Sequence, residues 1–62
     1  MENKEAWVVI MNVGPGLFMR LPHIFGTVGS AYKFALREAF YSGNRVKVIN
    51  LCDYNRQYGE GV

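Results

Sequence analysis

The chain carries few side chains that could do chemistry: one histidine, His23, one cysteine, Cys52, and five carboxylates. A catalytic acid, base or nucleophile must be held against a partner group. His23 follows Pro22 in a predicted loop and Cys52 ends a predicted strand, so their spacing does not bring them together. We therefore expect no catalytic residue and no enzyme activity. Cys52 is predicted to be a small buried hydrophobic residue, and His23 an exposed loop residue.

The sequence indicates neither a metal site nor a membrane segment. A single cysteine cannot form an internal disulfide and cannot by itself supply a zinc site. We expect no metal and no cofactor, and a reducing cytoplasm as the setting. No apolar run approaches the roughly 20 residues needed to cross a bilayer. The polar start, Met1–Glu5, lacks the layout of a signal peptide. These features predict a soluble cytoplasmic protein with no membrane partner.

The composition favours one small ordered domain that spans residues 1–62. Half of the 62 residues are apolar and 15% are aromatic, which argues against disorder. A chain of this length is near the lower limit for a core without disulfides or metals, so the core must be thin. The net charge of +2 is too small to imply nucleic-acid binding, although it permits a local basic patch.

The chain is predicted to begin with a β-hairpin. The first strand, Ala6–Val13 (AWVVIMNV), is apolar on both of its faces. The Gly-Pro-Gly segment at residues 14–16 is the strongest turn signal of the sequence, because glycine tolerates positive φ and proline presets φ. The return strand is Leu17–Leu21, and Pro22 stops it.

A helix of about Val28–Ser42 is predicted to follow the hairpin. Thr27 or Ser30 can cap its start, and Gly43 stands where a left-handed C-terminal cap would form. At 100° per residue, one face of this helix collects apolar side chains and should lie on the sheet. The members of that face are Val28, Ala31, Tyr32, Ala35, Leu36 and Ala39.

The third predicted strand is Arg45–Cys52, with Val46, Val48 and Cys52 expected beneath the helix. The remainder, residues 53–62, is polar and without periodicity, and it is predicted to be a flexible tail. The ordered core is therefore expected to be a β-β-α-β unit of residues 6–52.

These elements predict an α+β fold, with a three-stranded antiparallel sheet and one helix packed on one face. A right-handed crossover through the helix places the third strand beside the first, which gives the order 2-1-3. The first strand is then central, in agreement with its apolar character. One helix covers only one face, so we expect the second face to bind a second copy of the chain or a partner. A homodimer is accordingly predicted.

Two surfaces are candidates for binding a partner protein. The outer sheet face should present Ile49 and Leu51, with the basic Arg45 and Lys47 at its other end. The helix carries Phe34, Arg37 and Tyr41 at positions i, i+3 and i+7, and aromatic residues and arginine are enriched at binding hot spots. The alternative for Phe34 and Tyr41 is that they wrap over the sheet edge and complete the thin core.

The interpretation that these surfaces favour is a small non-catalytic module that binds another protein. The alternative is a nucleic-acid-binding domain, and a third possibility is a purely structural homo-oligomer. The alternative nucleic-acid site would use the basic residues Arg20, Lys33, Arg37, Arg45, Lys47 and Arg56.

The segments AWVVIMNV, SAYKFALREAF and NRVKVINL together resemble the small single-domain accessory proteins of bacteriophages, including some anti-CRISPR and other host-takeover inhibitors. The resemblance is in size and layout and covers residues 6–51. It implies a non-catalytic inhibitor that binds a host protein or nucleoprotein complex in the host cytoplasm and blocks its working surface. The resemblance transfers no site residue to this chain.

Overall fold

The computed structural model describes residues 6–58 of the chain. Its elements are β1 (Trp7–Gly14), β2 (Leu17–Arg20), α1 (Val28–Ser42), β3 (Val46–Asn50) and α2 (Leu51–Tyr58). The strands form one sheet in the order β2-β1-β3, and both pairings are antiparallel. The predicted α+β class and the strand order 2-1-3 are therefore confirmed.

The hairpin between β1 and β2 closes where the Gly-Pro-Gly segment predicts it. Gly16 adopts a φ of 69°, a left-handed conformation that glycine reaches without steric cost. The pairing register shifts between Asn12 and Gly14, which places a bulge next to the turn. Strand β2 ends at Arg20, although the Leu21 N–H still donates to the Val9 carbonyl at 2.9 Å.

Helix α1 has the predicted bounds because both of its caps form. Thr27 Oγ1 accepts a hydrogen bond from the Ser30 N–H at 3.2 Å, which satisfies one free donor of the first turn. At the other end, Gly43 has a φ of 75°, and its N–H donates to the Ala39 carbonyl. The left-handed cap ends the helix there.

Gly43→Ala should lower the free energy of unfolding by about 1 kcal/mol, because a Cβ is disfavoured in the left-handed conformation. Gly29→Ala is the matched control. An added Cβ meets nothing within 4 Å at either position, and of these two glycines Gly43 alone has a positive φ. Since alanine is a better helix former than glycine, Gly29→Ala should stabilise the protein by about 0.5–1 kcal/mol. Urea denaturation followed by circular dichroism measures both, and shifts of the same sign would contradict this explanation.

The larger core cluster lies between α1 and the sheet face that carries Val9 and Met11, which we call the first face. Ala31 and Ala35 are buried against the sheet, and their small side chains let the helix approach it closely. The buried members of this cluster are Val9, Met11, Leu21, Ala31 and Ala35. Within the described residues, α1 contacts β1 and β3 but not β2.

The apolar face predicted for α1 is only partly buried. Tyr32 and Leu36 were expected on the sheet, yet they are 55% and 69% exposed, and Val28 is also exposed. Helix α1 lies over β1 and β3, and β3 is an edge strand. The side chains on the outer flank of α1 therefore extend past the sheet, and none of the described strands lies beneath them.

The segment predicted as a flexible tail instead forms helix α2 up to Tyr58, and residues 59–62 lie outside the described part of the chain. The chain leaves β3 at Asn50, whose Oδ1 accepts a hydrogen bond from the Cys52 N–H at 2.8 Å. This bond caps α2 in the manner of an N-cap. The predicted third strand is thus too long, and Cys52 is exposed on α2 rather than buried beneath α1.

Helix α2 covers part of the second face of the sheet. The sequence analysis predicted that this face would be free to bind a second copy or a partner. Val8, Ile10 and Ile49 form a second buried cluster there. Leu51 and Tyr54 of α2 pack against this cluster. The central part of the face that was predicted to bind a second copy is therefore filled by the chain itself.

Candidate binding surfaces

The two side chains considered as a catalytic pair, His23 and Cys52, lie on different parts of the molecule. The exposed ring of His23 packs edge-on against Phe34, with centroids 5.1 Å apart, on the side of α1. Cys52 lies on α2, which packs on the opposite face of the sheet. No three potential metal ligands come together within residues 6–58. In the same part of the chain, no helix has the length and hydropathy required to span a bilayer.

The predicted patch of Phe34, Arg37 and Tyr41 does not form one exposed surface. Phe34 is half-buried and packs against the α1 core, with its ring 5.2 Å from that of Phe25. Arg37 is exposed and Tyr41 is 76% exposed. Phe34 therefore follows the alternative interpretation, in which it completes the core.

The predicted outer sheet face also needs correction. Ile49 is only 7% exposed, because α2 packs on it. Leu51 is half-buried and belongs to α2 instead of the third strand. Arg45 and Lys47 remain exposed. The accessible part of this face is consequently basic rather than apolar.

A groove runs between α1 and the edge strand β3 and has a volume of about 400 Å³. We call it the α1–β3 groove. Its lining residues are Tyr32, Ala35, Leu36, Val46, Lys47 and Val48.

The helical wall of the α1–β3 groove continues into an exposed apolar stripe of four residues, Val28, Tyr32, Leu36 and Phe40. They are spaced four residues apart, so each lies about 40° further around the helix than the previous one. Phe40 is 80% exposed. The sequence pattern contained this stripe, but its first three members were assigned to the core.

The outer edge of β3 presents backbone hydrogen-bonding groups. The Asn12 N–H donates to the Arg45 carbonyl, and the Leu51 N–H donates to the Ala6 carbonyl. Paired residues of an antiparallel ladder alternate between bonded and non-bonded. The N–H and C=O groups of Val46 and Val48 therefore point away from β1. No further strand lies beside β3 within the described residues.

The side chains of the second sheet face that α2 leaves accessible lie in two rows across the three strands, and the central residue of the first row, Ile10, is buried. Ile10 pairs with Arg20 on one side and with Lys47 on the other. In the next row, Asn12 pairs with Phe18 and bonds to Arg45. We call the residues of these rows that are not buried the basic face: Asn12, Phe18, Arg20, Arg45 and Lys47. A groove of about 310 Å³ lies at the second row and is lined by Asn12, Phe18, Arg45, Val46 and Lys47.

The cations of the alternative nucleic-acid site separate into different environments. The Arg20 guanidinium stacks on Tyr54, 5.5 Å from the ring centroid, and its buried Nε has no hydrogen-bond partner within the described residues. Arg56 is bound to Asp53 at 2.7 Å on α2. Lys33 and Arg37 lie on α1. Only Arg20, Arg45 and Lys47 share the basic face.

No protein-family model matches the chain, and no curated protein or solved structure matches it either. Two surfaces of the described residues could bind a partner: the α1–β3 groove with its apolar stripe, and the basic face.

Proposed function

We propose that the protein is a non-catalytic protein-binding module that accepts an extended segment of a partner protein along the outer edge of β3. The observation that carries the proposal is that two exposed residues of the apolar stripe, Tyr32 and Leu36, line a groove beside an edge of β3 that pairs with no other strand of the described residues. Main-chain hydrogen bonds to a strand edge supply affinity in this mode of recognition, and pockets for alternate side chains supply specificity.

The two edges of the sheet differ in their suitability for such pairing. Strand β2 has four residues, lies next to a bulge and is followed closely by Pro22, and all three features protect an edge. Strand β3 pairs with β1 in continuous register over its whole length. A strand added at this edge could form hydrogen bonds with the backbone groups of Val46 and Val48, and the side chains of Tyr32 and Leu36 would lie above it.

The charges around the groove indicate the chemistry of the partner segment. Lys47 lines the groove and lies on the sheet face opposite to α1. Alternate side chains of an added strand point to opposite faces of the sheet, so its apolar residues would contact the stripe and its carboxylates would face Lys47. We therefore propose an acidic, apolar strand as the occupant. The resemblance to phage inhibitors implies occlusion as the mechanism, in which this contact blocks a working surface of the partner.

A display selection of short random peptides against the immobilised protein tests this proposal. The selected peptides should alternate apolar residues with aspartate or glutamate. Their affinity, measured by fluorescence anisotropy, should fall about tenfold or more in Leu36→Ala and in Tyr32→Ala, because exposed apolar anchors that line the groove become buried on binding. Val48→Pro removes one outward N–H without removing a bond to β1, and it should weaken binding as well.

The matched control is Phe18→Ala, which truncates an exposed aromatic ring on the opposite face of the sheet and should leave peptide affinity unchanged. Thermal denaturation of each variant verifies that it is folded. Peptides that bind Leu36→Ala as tightly as wild type would contradict the proposal. A dimer in sedimentation velocity that Val48→Pro dissociates would also contradict it, because a second copy would then occupy the groove.

A further inference from the structure

We infer that the basic face is a second binding site, and that its ligand is a single-stranded nucleic acid. This site shares only the edge of β3 with the α1–β3 groove and does not depend on the proposed peptide. In the inferred complex, Arg45 and Lys47 contact backbone phosphates and Phe18 stacks on a base.

The geometry of the face follows from the strand register. Neighbouring strands lie about 4.8 Å apart, and side chains two residues apart on one strand are separated by about 6.7 Å. Phe18 and Arg45 therefore flank Asn12 at about 5 Å on either side, and Lys47 follows Arg45 along β3 on the same face. An aromatic ring and two cations border one groove.

The electrostatics of the face favour a polyanion. The described residues include only two carboxylates, Glu38 and Asp53. Glu38 lies on α1, which packs on the other face, and Asp53 is bound to Arg56. Nothing within the described residues therefore neutralises Arg45 or Lys47 across the groove. Arg20 adds a third positive charge at the far end of the first row, held in place by its stack on Tyr54.

The exposed Phe18 ring favours a nucleic acid over a simple anion as the ligand of the basic face. Phe18 is 46% exposed although it stands between polar and basic side chains. Sequence-independent binders of single strands combine a positively charged groove with aromatic side chains on which bases stack. A duplex keeps its bases stacked internally, so an exposed ring on a sheet face gains little from it. The basic face therefore fits an unpaired strand.

Fluorescence anisotropy with labelled oligothymidine and oligouridine tests the inference with the full chain. Phe18→Ala should weaken binding about tenfold, as expected for the loss of one stacked base. Arg45→Ala should also weaken binding. It should reduce the slope of log affinity against log salt by about 0.7, the value for one phosphate contact with a single strand. A duplex of the same length should bind more weakly than either single strand.

The chain offers matched controls for both substitutions. Phe40→Ala removes the same ring from the apolar stripe, and Arg37→Ala removes the same charge from α1, and neither should alter oligonucleotide affinity. Equal weakening by Arg37→Ala and Arg45→Ala would overturn the inference, since net charge alone would then explain binding. Absence of binding at low salt would overturn it too. Preferential binding to anionic phosphatidylserine vesicles would assign the face to a membrane surface instead.

Discussion

Replacing Tyr54 by alanine should remove about 2–3 kcal/mol from the free energy of unfolding, as expected for truncation of a large, partly buried aromatic side chain. Tyr54 packs against Val8, Ile10 and Ile49, and it carries the stacked Arg20 guanidinium. A domain of this length has a total stability of about 3–9 kcal/mol. The loss should therefore be visible as a large shift of the urea midpoint.

Tyr58→Ala is the matched control for this prediction. Tyr58 is on the same helix, its ring lies 5.2 Å from that of Tyr54, and it is 43% exposed. It is not part of the buried cluster on the second face, so its truncation should reduce stability by less than about 1 kcal/mol. Equal losses for the two tyrosines would contradict the prediction, because contact with the buried cluster would then not explain the effect of Tyr54→Ala.

Tyr54→Ala also tests whether an uncovered apolar sheet face causes self-association, which is the reason for the homodimer prediction. When α2 no longer covers Val8, Ile10 and Ile49, an apolar sheet face becomes exposed, and such faces promote association. Tyr54→Ala should therefore sediment as a larger species than wild type at the same concentration. A variant that loses stability but sediments as wild type would separate the packing of α2 from protection against association.

Ala31→Leu should destabilise the protein by about 3 kcal/mol, at the upper end of the range for overpacked cores. Ala31 has no exposed surface and sits in the cluster of Val9, Met11 and Leu21. A leucine there forces α1 away from the sheet. For a domain of this size the melting temperature should fall by about 15 °C or more, which differential scanning calorimetry measures directly.

Lys33→Leu is the control for Ala31→Leu, because it adds the same side chain to the exposed side of the same helix. It should change stability by no more than about 0.5 kcal/mol. If Ala31→Leu melted at the wild-type temperature, the close approach of α1 to the sheet would not be needed for stability. The alanine positions would then have no packing role.

Much of the candidate site depends on features that a sequence pattern cannot measure. Periodicity identifies the apolar arc of α1, but the width of the sheet beneath it decides how much of the arc is covered. Tyr32 and Leu36 belong to that arc and are nevertheless exposed, because the sheet ends at β3. Phe34 lies outside the predicted core face, and it is half-buried because the loop before α1 brings His23 and Phe25 against it.

The sequence by itself determined the hairpin, the bounds of α1 and the strand order. The Gly-Pro-Gly turn, the Thr27 and Gly43 caps and the apolar first strand are local signals that act within a few residues. Only the tertiary structure decided that residues 51–58 form a helix. A helix of eight residues is marginal in water, and α2 forms because Leu51 and Tyr54 pack on Val8 and Ile10, which are distant in the chain.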